Sequence, residues 1–184
     1  MLYNCFKMKL IFGLGNPGSE YENNRHNVGF QFVDYIYAHS TVQKEWQTDK
    51  YVHSLISKVE IGDQPFILAK PQTFMNVSGD ALKRIVIRES LLPNDVYVAH
   101  DDLDIHFGEF KISKGKGPKL HNGINSIEDH WKTAEFWRIR IGIENRNGVP
   151  IPGVEYVLQN FSKEERGGLA GIFERIFTAF QTAT

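Results

Sequence analysis

Short apolar runs that stop abruptly at glycine, histidine or asparagine alternate along this chain with segments of helical periodicity. Leu10-Ile11-Phe12 closes on Gly13, and Val96 to Ala99 runs straight into His100-Asp101-Asp102-Leu103-Asp104. Runs this short, bounded by turn-forming residues, predict buried strands. Val52 to Ile61 and Pro65 to Ala69 predict two strands around a Gly62-Asp63 turn, Glu109 to Ser113 a short strand, and Arg138 to Ile143 a strand alternating apolar and basic residues. Between them, Asn27 to His39 and the segment containing Val77, Ala81, Leu82, Ile85 and Val86 carry apolar residues at helical spacing. The second of these ends near Leu92-Pro93-Asn94, and Ile124 and Ile127 begin another helix. Leu169, Ile172, Phe173, Ile176, Phe177 and Phe180 form the stripe of a last helix, with Ser162 and Glu165 spaced as a capping box. Strands alternating with helices predict one α/β domain with a mixed sheet.

The bulk numbers agree. A length of 184 residues with a 41% apolar fraction suits one domain with a full core. No apolar run approaches the roughly 20 residues that span a bilayer, and residues 1–9 lack the pattern of a secretory signal. Residues 1–8 are expected to form a flexible tail, and Met8 is an alternative start because the first strand begins at Lys9. The single cysteine, Cys5, cannot form an internal disulfide, which fits a reducing, cytoplasmic setting. The net charge of −1 does not mark a nucleic-acid binder. Its distribution is more telling: Lys111, Lys114, Lys116 and Lys119 lie in one segment, and Arg138 and Arg140 follow. Such a patch can meet phosphates, although charge alone reads more simply as a solvated loop.

Polar side chains with chemical potential cluster where the strands end, the usual place for reactive groups in α/β domains. Gly13-Leu14-Gly15-Asn16-Pro17-Gly18 matches the dinucleotide fingerprint in its letters. The following Ser19-Glu20-Tyr21-Glu22 has no apolar helical face, however, and the candidate acid Asp34 falls inside a helix rather than at a strand end. A tight turn presenting Asn16 is the better reading. His100, Asp101, Asp102 and Asp104 hint at a metal, but alternate strand residues face apart. Only Asp101, which follows the apolar run and His100, is retained. His26 is the natural base, because imidazole titrates near neutrality. Asn76 and Asn122 each precede a helix and read equally as N-caps. Phe74 reads as core or as a base-stacking aromatic. No nucleophile elbow, zinc helix, cysteine pair or phosphate loop is present.

Taken together, Lys9 to Gly18 with Tyr21, Arg25 to Gly29, Lys70 to Gly79, Val98 to Asp104, His121-Asn122-Gly123 and Arg138 to Gly142 resemble the bacterial-type peptidyl-tRNA hydrolase family in the family's own order. The resemblance implies a twisted mixed sheet flanked by helices. It also implies hydrolysis, without a cofactor, of the ester joining a peptide to the 3′ ribose of tRNA; a monomer is expected, and no metal-ligand set has convincing spacing. By motif, His26 would activate water, Asp101 would orient its ring, and Asn16 would hold the substrate. Tyr21, Phe74, Asn76 and Asn122 would contact the tRNA end and the peptide, and Lys111 and Arg140 a terminal tRNA phosphate. The chain departs from the family at Gly115-Lys116-Gly117-Pro118-Lys119-Leu120, where a glycine-rich run is expected. Two alternatives stand beside this reading: an RNA-binding module without catalysis, and a nucleotide-dependent oxidoreductase.

Overall fold

Leu10, Ile11 and Phe12 are all fully buried because their strand is covered on both faces. In the computed structural model, which describes residues 7–183, this strand is β1 (Lys9–Gly13). It is followed by α1 (Val28–His39), β2 (Val42–Gln43), β3 (Gln47–Asp49), β4 (Ser54–Ile61), β5 (Gln64–Pro71) and α2 (Ser78–Glu89). Then come β6 (Val96–His106), β7 (Phe110–Lys114), α3 (Asn122–Trp131), β8 (Trp137–Glu144), α4 (Gly153–Tyr156) and α5 (Lys163–Ala183). The sheet order is β2-β4-β5-β1-β6-β8-β7, with β3 also on β4. β1 pairs in parallel with β5 and β6, β6 in parallel with β8, and the hairpins β4–β5 and β7–β8 are antiparallel. The expected mixed sheet is present.

Alternate residues of the central strands feed two cores. Ile11, Leu68 and Ala99 pack with α1 and α5; Leu10, Phe12, Ile67 and Val98 pack with α2 and α3. The capping box of the last helix forms as its spacing predicts: Glu165 N–H donates to Ser162 Oγ at 3.2 Å, and Ser162 N–H to Glu165 Oε2 at 2.7 Å. β2 and β3 escape sequence detection because they are short and largely exposed, without the apolar alternation that marks a strand. Of the expected flexible tail 1–8, residues 1–6, including Cys5, lie outside the described residues. Lys7 and Met8 are held in place: Lys7 Nζ pairs with Asp95 Oδ2 at 2.6 Å, and Met8 packs on the second core.

One glycine positions the site. A Cβ on Gly29 would lie 2.3 Å from the Ala99 carbonyl oxygen and 2.5 Å from that of Leu14. Glycine there lets the first turn of α1 rest directly on the end of β1 and the middle of β6, which brings the residues just before α1 over β6 beside Asp101. No helix among the described residues is long and apolar enough to cross a membrane.

Candidate active site

The end of β1, the middle of β6 and the starts of α1 and α3 meet at a cavity of about 740 Å³. Asn16, His26, Phe74, Asn76, Asp101 and Asn122, all named from sequence, line it. At its floor the Asp101 carboxylate, in β6, is 3% exposed. Asp101 Oδ1 accepts hydrogen bonds from two imidazoles, His26 Nδ1 at 2.8 Å and His121 Nε2 at 2.9 Å.

Backbone hydrogen bonds settle the tautomer of His121. The side chain caps α3, and its Nδ1 accepts from the N–H groups of Gly123 (3.1 Å) and Ile124 (3.3 Å). Nδ1 must therefore keep its lone pair, so the ring proton sits on Nε2, facing Asp101. His26 Nδ1 likewise donates to Asp101, which leaves His26 Nε2 as the acceptor available in the cavity. Burial pulls the pKa of His26 down, but the charge of Asp101 and its hydrogen bond outweigh this and leave it raised above 6.5. Burial by itself would raise the pKa of Asp101; the two imidazoles outweigh it and hold the carboxyl well below the usual range. His100 lies behind, its ring centroid 4.9 Å from that of His121. Burial first, then His121, depress its pKa far enough to keep it neutral.

The three ligand atoms of His26, Asp101 and His121 lie within 4.8 Å of one another, close enough to share an ion. The donor chemistry argues otherwise. A neutral His121 bound to metal through Nε2 would carry its proton on Nδ1, against the two backbone N–H groups it now accepts. The set fits a hydrogen-bonded relay better than a metal centre. The aspartate cluster does not converge either: Asp102 pairs with Arg140 Nε at 2.7 Å, and Asp104 with Lys119 at 3.7 Å.

Asn16 is fixed by three bonds. Its N–H donates to Asn27 Oδ1, its carbonyl accepts from Asn27 Nδ2, and its Oδ1 accepts from Met75 N–H, each at 2.9 Å. The Asn16 amide NH₂ remains to meet a ligand. The bland reading of the other two asparagines fails. Asn76 sits within the turn Met75–Val77 with no capping bond, and His121, not Asn122, caps α3. Tyr21 is outside the cavity lining but meets Phe74 edge-on at 6.5 Å. His26 itself is anchored from behind: its N–H donates to the Val157 carbonyl at 2.8 Å, and neighbouring Arg25 pairs with Glu165 at 2.7 Å.

Sequence reading missed His121. The signal is present, a histidine directly before a helix start, but the asparagine beside it is the commoner N-cap residue. It also missed Arg25 as an anchor. Lys111 and Arg140, outside the cavity, are cross-strand partners on β7 and β8. Lys111 is exposed, whereas the side chain of Arg140 is 13% exposed. Arg138, grouped with this patch from sequence, is instead buried and paired with Glu128 at 2.5 Å. The dinucleotide alternative fails locally: Gly18 leads into a single turn, Ser19–Tyr21, and Asp34 pairs with Lys70.

The family model described as peptidyl-tRNA hydrolase matches residues 10–184. The chain belongs to the peptidyl-tRNA hydrolase family. The family is enzymatic. A relative in Listeria welshimeri named peptidyl-tRNA hydrolase is 37% identical over 177 residues, 95% of this chain and 92% of that protein. One of the same name in Dehalococcoides mccartyi is 41% identical over 163 residues, 86% of this chain and 84% of that one. Among solved structures, a peptidyl-tRNA hydrolase in complex with N-propanol has a TM-score of 0.86 at 30% identity, covering 95% of this chain and 87% of that one. The Acinetobacter baumannii peptidyl-tRNA hydrolase has a TM-score of 0.83 at 30% identity, covering 94% of this chain and 86% of that one.

Proposed function

We propose that this chain hydrolyses the ester between peptide and tRNA as a metal-independent, cytoplasmic monomer, with His26 as general base. The observation that carries this reading is the 2.8 Å contact from His26 Nδ1 to Asp101, which turns Nε2 toward the cavity as a proton acceptor. Nε2 takes a proton from water, whose oxygen bonds to the ester carbonyl carbon. The carbonyl oxygen gains charge in the tetrahedral intermediate, where the amide N–H groups of Asn16, Asn76 and Asn122 are donors at hand. Collapse breaks the bond to the ribose oxygen, which recovers the proton from His26. Asp101 stabilises the transient imidazolium, and His121 positions Asp101. Phe74 and Tyr21 suit stacking against the terminal base.

Release of labelled peptide from N-acetylaminoacyl-tRNA by the purified chain tests the reading, with free aminoacyl-tRNA as the control. Cleavage of the first ester, sparing of the second and full activity after prolonged chelation are expected. Binding without cleavage would leave an RNA-binding module. Activity lost on chelation and restored by one divalent ion would overturn the metal-free mechanism.

Lys111 and Arg140 are proposed to meet a tRNA phosphate. Lys111→Ala should weaken tRNA binding and reduce the slope of log affinity against log salt by about one, measured by filter binding. An unchanged slope would remove Lys111 from the interface. Arg140 is the poorer probe. Its removal would strand the fully buried Asp102 carboxylate, a loss of about 3–5 kcal/mol in stability.

A further inference from the structure

An exposed apolar side chain is ordinary, but a concentration of them around one cavity is not. Of the ten large apolar residues that stay exposed among the described residues, four line the active-site cavity: Phe74 at 56%, Leu120 at 86%, Val154 at 73% and Leu158 at 49%. Leu120 stands in the loop before α3, whereas Val154 lies in α4 and Leu158 just beyond it, on segments distant in sequence. The lining contains no lysine, arginine or glutamate, so His26, Asp101 and His121 are its titratable groups. The basic pair proposed to meet phosphate, Lys111 and Arg140 on β7 and β8, lies outside this lining. Leu120 also occupies the segment where this chain departs from the glycine-rich run expected of the family. A glycine there would offer no side chain to a ligand.

We propose that Leu120, with Val154 and Leu158, forms an apolar clamp for the side chain of the ester-linked amino acid, which makes this enzyme prefer peptidyl-tRNAs ending in a large apolar residue. The proposal rests on the hydrolase reading, because the ester at His26 places the acyl group in this cavity. Covering these side chains removes apolar area from water only when the substrate itself is apolar, so the gain is selective.

The test compares N-acetyl-Leu-tRNA with N-acetyl-Gly-tRNA, and in parallel the binding of the two non-hydrolysable 3′-amide analogues. Leu120→Ser should lower kcat/KM for the leucyl substrate about tenfold, with the glycyl substrate changed less than about twofold. Val154→Ser, on a separate segment of the lining, should act in the same direction, so the conclusion does not hang on one loop. Equal losses on both substrates, or an unchanged ratio in both variants, would overturn the clamp. If wild type binds the leucyl analogue over the glycyl one yet cleaves neither ester, the clamp stands and the hydrolase reading falls.

Discussion

His26→Ala is expected to lower kcat for peptidyl-tRNA hydrolysis by about 10²–10⁴-fold, the range supplied by a positioned general base. Substrate binding should change little, because the imidazole acts on the proton of the attacking water rather than on the bound tRNA. The His26 side chain is 11% exposed, and after its loss the buried Asp101 carboxylate keeps its hydrogen bond from His121, so the fold should survive. Single-turnover kinetics with equilibrium binding on the same preparation separates the two effects. Near-normal turnover by the variant, in material free of host hydrolase, would mean that another group is the base.

Asp101→Asn carries the second-largest effect and reads out differently. The amide oxygen of Asn can still accept both imidazole N–H groups, so the tautomers need not change. The negative charge that offsets the burial of His26 is gone, however. Two consequences follow. The plateau rate falls, by about 10-fold or more, because the imidazolium formed during reaction loses its counter-charge. The pH midpoint of the rate moves down, because burial of His26 is no longer opposed. In wild type the rate should rise with pH through a midpoint above 6.5, since only neutral imidazole accepts a proton. A rate loss with no movement of the midpoint would show that Asp101 merely holds the ring in place.

The same linkage sets opposite pH windows for stability. The raised pKa of His26 means its pairing with Asp101 stabilises the fold fully below the unfolded value near 6.5 and is lost as pH rises through the folded pKa. The base is thus least useful to the fold where it is most useful to the reaction. Asp101, held low, contributes above the unfolded carboxyl value of 3.8, and its contribution is lost as pH falls through the folded pKa.

The sequence by itself determined the elements and the stock of reactive groups. Consecutive apolar residues at Leu10 to Phe12 and Val96 to Ala99 can only be buried strands, the stripe from Leu169 to Phe180 only a packed helix, and Ser162 with Glu165 cap it because capping is a three-residue matter. His26, Asp101 and the asparagines stand out in the sequence because they are polar residues set directly against apolar runs. Only the tertiary structure decided what these groups do to one another. His26 and Asp101 are 75 residues apart, and their contact depends on glycine at 29 letting α1 rest on β1 and β6. His121 joins the same carboxylate oxygen because α3 begins there, and its backbone bonds choose the tautomer. Arg138 and Arg140 read from sequence as parts of a basic patch and are ion-paired in the fold, because charge is local while its neutralisation depends on which elements meet. Periodicity specifies which face of an element is buried; it carries no information about which buried polar atoms will share a proton.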